Sequence, residues 1–495
     1  MKLSRVIVVI VFLAILAMAT HVSIDSDTWW HLRAGKWMVE NRQIIKEDIF
    51  SYTSAGKPWQ YPGLWVQVMM FKLYNWFGPG GLNLWVSLTV VAIFGFVWRT
   101  SGGNILFRVA VLLLAAMASA IYWAARPYLI SYLLFAIFFY LLERNQHGRK
   151  GSLWLLPVLM IVWVNSHGGF LAGFILWGPY WVDSSIKWAI AKRQGRDQGL
   201  EILKKRWISL LWVGVAMLLL SLLNPQGVKL WTLPFTTVSR QAEQMFIAEW
   251  QSPDFHKPSL IPFALLLMLS IGVLGRSRKR LTLYEILLMG GFGLLGLISI
   301  RNIFFFVIVA PAIITRSGKY VFSDLADDLH IQLKLDFSKP PTKFGRVINV
   351  FIVLLVSFVT LLRVVSIIPN SVNREAFENE FPVKAVEFLQ TKELYGQMFN
   401  SYNYGGYLIW ALPQYPVFVD GRADLHEDDI IMTWFRVIRG SEEWEQVFEK
   451  WNIQFVLVEP GVPLLSELYN EGWNTIYEDD LAVIAVSPNN LLGKN

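Results

Sequence analysis

Apolar runs of near-bilayer length alternate with short basic or polar stretches over the first three quarters of the chain, and shorter strand-like and helix-like patterns occupy the rest. The runs fall at 6–20, 82–98, 105–124, 128–142, 153–163, 169–182, 207–223, 259–274, 281–298, 303–314 and 347–368. A segment of roughly 20 apolar residues crosses the hydrocarbon core of a bilayer, so this pattern predicts about eleven membrane-spanning helices, the shortest needing tilt or neighbours. Between the first two runs lies a long polar and aromatic loop, 21–80, in which the helical spacing at 36–39 and 65–76 predicts two helices lying on the membrane surface. Past residue 368 the pattern changes. It predicts helices at 383–391, 404–412, 442–451 and 462–471, and strands at 396–400, 417–420, 455–458, 474–477 and 482–486. The fold class expected is an α-helical polytopic membrane protein, residues 1–368, carrying a small α/β domain at 369–495. About 125 residues are enough for that domain to bury its own core.

Composition agrees with the class and narrows the chemistry. Of 495 residues, 54% are hydrophobic and only 16% charged, and 23 Trp and 33 Phe suit interfacial belts. Cysteine is absent, which excludes disulfide staples and thiol nucleophiles. The net charge of +7 does not point to nucleic acid, because the basic residues sort to alternate loops. With Lys2 and Arg5 inside, the same side receives Arg99 and Arg108, then Arg144, Arg149 and Lys150, then Lys187, Lys192, Arg193, Arg196 and Lys204 to Arg206. It also receives Arg276, Arg278, Lys279 and Arg280, and then Arg316, Lys319, Lys334, Lys339, Lys343 and Arg346. This positive-inside bias places the N-terminus in the cytoplasm and the acidic C-terminal domain outside, in the plasma (inner) membrane. The first run also resembles a cleavable signal peptide, but retention as an anchor explains better how the first outer loop is held.

The outer side collects the candidate chemistry. Asp25 and Asp27 directly follow the first span in the stretch Asp25-Ser26-Asp27-Thr28-Trp29-Trp30-His31, and ionised groups at a membrane surface are costly unless they meet water, a partner or a ligand. The plainer alternative is that Asp27 caps a helix. Other outer turns bring Arg126, His167 and Arg301, and the loop 224–257 brings Glu249. Each has a bland account: the arginines could snorkel, and His167 beside two glycines could cap a hairpin. In the C-terminal domain Asp420 ends a predicted strand at the Val417-Phe418-Val419-Asp420-Gly421-Arg422 segment, near Asn400-Ser401-Tyr402-Asn403-Tyr404-Gly405-Gly406-Tyr407. Asp420 is a candidate ligand-facing residue, with a local Asp420–Arg422 pair as the alternative. No phosphate-binding glycine loop, metal-spaced histidine cluster or nucleophile elbow occurs in the chain.

A short inner N-terminus, a first span ending in an acidic motif, a long first outer loop and an outer C-terminal domain together resemble the GT-C superfamily of polyprenyl-phosphate-sugar-dependent glycosyltransferases. The resemblance is architectural over the whole chain and rests on few residues. Asp25-Ser26-Asp27 occupies the place of the family's first-loop acidic motif, and the Asp-Thr-Trp-Trp-His-Leu and Val-Asp-Gly-Arg segments look like those of uncharacterised bacterial members. The adjacent Asp-Glu pair of the protein O-mannosyltransferases is missing, and so is the Trp-Trp-Asp motif of the oligosaccharyltransferases.

The resemblance implies transfer of a sugar from a polyprenyl-phosphate donor to an envelope acceptor on the outer face. Asp27, or Asp25, would be the base, and Arg301, then Arg126, would hold the lipid phosphate, as Arg does better than Lys. His31, His167, Glu249 and Asp420 would line the substrate. A divalent cation on Asp25 and Asp27, with Glu249 or His31, is left open, because one carboxylate pair is too little to assert a metal. The partners expected are the lipid-linked sugar and membrane lipid, with no nucleic acid. The competing classes are a transporter or flippase of lipid-linked glycans and a scaffold for envelope-polymer assembly. Ionisable residues at the outer ends of the spans, rather than at the midplane on internal repeats, favour the enzyme.

Overall fold

The structure is a computed structural model and describes residues 2–59, 61–149, 152–195, 199–233, 248–277, 280–328, 341–426 and 428–492. Lys150, Arg196, Arg278, Lys279, Lys334 and Lys339 of the charge pattern lie outside the described residues. The chain divides into two compact units. One comprises Met1–His21, Asn83–Pro234 and Ala248–Ile367, and the other includes Val22–Leu82 and Ile368–Asn495. The loop 21–80 is therefore grouped by its contacts with the C-terminal domain, where the sequence pattern alone had attached it to the membrane helices.

Each of the eleven apolar runs lies on a helix. Among the described residues six helices are long and apolar enough to span a bilayer: Leu64–Thr100, Ile105–Tyr122, Tyr128–Gln146, Pro258–Arg276, Ile300–Gly318 and Lys343–Ser366. Helix α1 (Leu3–Ala19) and the helices Leu155–Val164 and Leu283–Ile298 are apolar but shorter. The helices Leu171–Arg193 and Leu200–Leu220 are long but carry Lys187, Lys192 and Arg193, and Glu201, Lys204, Lys205 and Arg206, at one end. The expected count of about eleven spans thus meets fewer helices that qualify by length and apolarity alone.

Within the helical unit, Phe135, Phe138, Phe139, Phe292, Phe304 and Phe306 are fully buried. A polar knot ties several helices together. Arg316 pairs with Glu143, which also accepts a hydrogen bond from the Tyr180 hydroxyl at 2.7 Å, and Arg316 lies 3.6 Å from Glu285.

In the second unit, α2 (Ser26–Asn41) and the first part of α3 (Leu64–Thr100) are the two helices expected in the outer loop. The helix predicted at 65–76 joins the run at 82–98 through a break at Gly78, whose φ is +61°. Proline at 79 disfavours a helical residue before it, and the left-handed φ suits glycine. A four-stranded sheet forms the C-terminal core, with β1 (Gln397–Asn400), β2 (Ile453–Val458), β3 (Asn474–Glu478) and β4 (Val483–Val486) in the order β1-β2-β4-β3. β2 runs parallel to β1 and antiparallel to β4. It is buried along almost its whole length, which is why it reads as a near-continuous apolar run.

Two expectations are corrected here. Residues 417–420 are not in this sheet. They run beside the first outer loop, where Val417 N–H donates to the Phe50 carbonyl at 3.1 Å and Tyr52 N–H donates to the Val417 carbonyl at 3.2 Å. The edge they pair with is far away in sequence, so the pattern could show an extended segment but not its partner. The helices Asn370–Glu378 and Asp428–Ile438 were also unforeseen.

Candidate functional site

The acidic motif is built by a helix start. Asp25 is extended, with φ −156° and ψ 128°, and its Oδ1 accepts from the Asp27 backbone N–H at 2.9 Å. The cap of α2 is therefore Asp25 and not Asp27, because the capping side chain must reach back to an amide in the first turn. Asp27 lies inside that first turn, where the helix dipole favours a carboxylate, and is only 7% exposed.

Three sequence motifs meet at this point. The helix Tyr402–Ala411 packs on α2, and its two glycines make the approach possible: a Cβ at Gly406 would strike the Ser26 carbonyl, and one at Gly405 would strike the Val419 carbonyl. The Val417-to-Arg422 segment then turns so that a Cβ at Gly421 would fall on the Asp27 carboxylate, the side chain that supplies its three nearest atoms.

Behind the turn lies a buried ion network. Arg422 is fully buried and donates through Nε to Asp420 Oδ1 at 2.8 Å, through Nη2 to Asp420 Oδ2 at 2.7 Å, and through Nη1 to Asp48 Oδ1 at 2.6 Å. Its guanidinium also faces the Trp59 ring at 4.9 Å and the Phe50 ring at 5.3 Å. His426 Nε2 lies 3.2 Å from Asp420 Oδ2, an acceptor, so that nitrogen carries the proton, while Nδ1 lies 3.2 Å from the Ser54 hydroxyl. Asp48 is held in turn by the amides of Phe50 and Ser51 and by the Ser51 hydroxyl. Burial alone would raise the Asp420 carboxyl, but Arg422 and then His426 outweigh it and hold it well below the usual carboxylate range. Asp420, expected to face a ligand, is instead closed off with both oxygens engaged. The local-pair alternative describes it better. His31 is likewise buried, with Nδ1 3.1 Å from the Gln67 amide and its ring against Trp30 and Tyr61.

The remaining candidates gather in the helical unit. Arg126 Nη1 meets Glu249 Oε1 at 2.7 Å, with the two side chains 17% and 29% exposed. Burial would raise the Glu249 carboxyl, but Arg126 and then Arg301 hold it below its ordinary value. Arg301 lies over the Trp250 ring at 4.8 Å, and the loop bearing Glu249 is fastened by Ser299 Oγ donating to the Glu249 carbonyl at 2.9 Å. Tyr132 stacks on Phe304 at 4.0 Å and donates to the Arg301 carbonyl at 3.3 Å. His167 Nδ1 accepts from the Gly169 amide at 3.0 Å and lies 2.8 Å from the Ser131 hydroxyl, which itself accepts from Trp163 Nε1 at 2.7 Å. Those bonds make Nδ1 the acceptor and leave the proton on Nε2. Burial, then Arg301 and Arg126, push the His167 imidazole well below its ordinary value, so it is neutral.

Sequence reasoning missed several residues here. Asp48 sat in a polar run and His426 in an acidic stretch, with nothing local to single them out. Tyr122 is buried beside Tyr128 and Tyr132 at 6.0 and 6.2 Å, and its hydroxyl has no hydrogen-bond partner among the described residues. As for a metal, the described residues contain no group of three or more His, Asp or Glu side chains arranged to hold one. Asp25 Oδ1 is engaged by the Asp27 amide as the helix cap.

No protein-family model matches the chain, and no curated protein does. Solved structures do. The oligosaccharyltransferase of Archaeoglobus fulgidus, crystallised with a tethered acceptor peptide containing the NVT sequon, superposes with a TM-score of 0.53 at 12% identity, over 98% of this chain and 74% of that one. The archaeal oligosaccharyltransferase AglB from Archaeoglobus fulgidus, in complex with an inhibitory peptide and a dolichol-phosphate, gives 0.53 at 11% identity, over 97% and 74%. The likeness is one of fold across almost the whole chain. The chain has the fold of that oligosaccharyltransferase.

Proposed function

We propose that this protein is an integral membrane glycosyltransferase that takes a sugar from a polyprenyl-phosphate donor and attaches it to an envelope acceptor on the outer face of the plasma membrane. The observation that carries the reading is Asp27, a carboxylate enclosed where α2, the Tyr402–Ala411 helix and the Gly421 turn meet, in a chain with the fold of an oligosaccharyltransferase solved in complex with a dolichol-phosphate. The missing Trp-Trp-Asp motif argues against a sequon peptide as acceptor.

In this reading the acceptor hydroxyl loses its proton to Asp27 as its oxygen bonds to the anomeric carbon, and the bond from that carbon to the lipid phosphate breaks. The bonding pair leaves with the phosphate. Arg301 holds the phosphate, because its planar fork matches the oxygens and Trp250 orients it, whereas Arg126 is already paired with Glu249.

Asp27→Asn is nearly isosteric but cannot act as a base. Purified protein given radiolabelled lipid-linked sugar and extracted envelope acceptors should release free polyprenyl phosphate, and Asp27→Asn should still bind donor while losing roughly 10²-fold or more of that rate. Undiminished turnover by Asp27→Asn would remove the base assignment. No release with any donor would favour a transporter or scaffold.

A further inference from the structure

We infer that the Asp420-Gly421-Arg422 turn is a positioning device for the Asp27 carboxylate, locked from behind by Asp48 and His426. The inference rests on the reading of Asp27 as the base. Two observations carry it. First, Gly421 is not in the left-handed region of φ, so its backbone would accept any side chain, and the three atoms nearest to a Cβ there all belong to the Asp27 carboxylate. The Asp27 carboxylate by itself is enough to require glycine there. Second, the turn cannot yield. Asp420 and Arg422, on either side of Gly421, are both fully buried, and their bidentate pair is anchored to Asp48 by Nη1 of the same guanidinium. Breaking such a buried pair leaves an uncompensated charge, so the softer partner in any collision is the short Asp27 side chain.

The contact therefore works in one direction: the network fixes the turn, and the turn fixes where the carboxylate can stand. A base must lie within hydrogen-bond reach of the proton it takes, and a displacement of about 1 Å costs on the order of 10²-fold in rate. Gly421→Ala pushes the carboxylate off its place without touching the ion network. It should lower kcat by about 10²-fold while KM for the lipid donor and the melting temperature stay at the parent's values. A residue that served only folding would instead lower the amount of folded protein and leave kcat per folded molecule alone.

The geometry has a separate test that needs no activity. Asp27 Cγ lies 2.9 Å from the position of a Gly421 Cβ, which places paired cysteines within disulfide reach in a chain that has no cysteine of its own. Asp27→Cys/Gly421→Cys, oxidised in the membrane and digested, should give the linked peptide pair by mass spectrometry. Failure to cross-link, or parental kcat in Gly421→Ala, would overturn the positioning role. If the parent transfers no sugar from any polyprenyl-phosphate donor, the proposed function fails by itself, and the cross-link still decides whether the turn holds residue 27.

Discussion

The two clusters of charged residues use the same chemical groups to opposite ends. In the unit containing the C-terminal domain, Asp48, Arg422, Asp420 and His426 are fully closed from solvent or nearly so, and their charges answer one another. In the helical unit, the Arg126–Glu249 pair is partly exposed, and Arg301 rests over an aromatic face with its guanidinium half-buried. A charge whose every partner is protein can hold a backbone in place but has nothing left for a ligand. A charge left partly open keeps its capacity for one. The comparison teaches that the arginine most conspicuous in its motif, Arg422, is the scaffold, whereas the arginine with no motif around it, Arg301, is the candidate ligand.

Substitutions at three residues would break or sharpen that contrast. The largest effect is expected at Arg422. Arg422→Met removes the cation and leaves Asp420 and Asp48 buried with too few partners, a loss of about 3–5 kcal/mol. Thermal unfolding of the purified protein should show it, and a Met variant as stable as the parent would mean that the network is dispensable.

At Arg301 the effect should appear in turnover instead. Arg301→Lys keeps the charge but loses the fork, so donor use should fall about tenfold, the worth of one charge-assisted hydrogen bond, and Arg301→Ala should fall further, both at parental stability. Kinetics with lipid-linked sugar would check this. Equal turnover by all three forms would make Arg301 a snorkelling residue.

The smallest effect is a dependence on pH. The folded pKa of Asp420 is held below that of the unfolded chain, so the stability it contributes is fully present above the ordinary carboxylate range, near about 4, and is lost as pH falls toward the folded value. The melting temperature should accordingly drop as pH is lowered below about 4, more steeply in the parent than in Asp420→Asn. Parallel slopes would show that the acid sensitivity belongs to other carboxylates.

Much of the framework was legible along the chain. The period-two and period-3.6 patterns located β1, β2, β3 and β4 and the helices at 383, 402, 444 and 463 to within a few residues, because burial on one face imposes a local period. The apolar runs likewise located the long helices, since a bilayer core demands length and apolarity that nothing else in a sequence mimics. Among the candidate residues, Asp27, Arg301, Arg126 and Glu249 could be named from the sequence pattern.

What they do to one another was not legible. Asp25 and Asp27 look interchangeable in sequence, and only the helix start separates them into a cap and an enclosed carboxylate. Asp420 at a glycine turn looks like a ligand residue until Arg422 and His426 close over it. By itself the sequence determined the class of protein, the elements and the sign of charge at each end of its helices, because these follow from the spacing of neighbouring residues. The tertiary structure alone decided that Asp48 anchors Arg422 across 374 positions, that Val417 pairs with the loop 21–80 and that Gly421 faces Asp27. Contacts of that range depend on which surfaces meet in the folded chain, and no local periodicity encodes them.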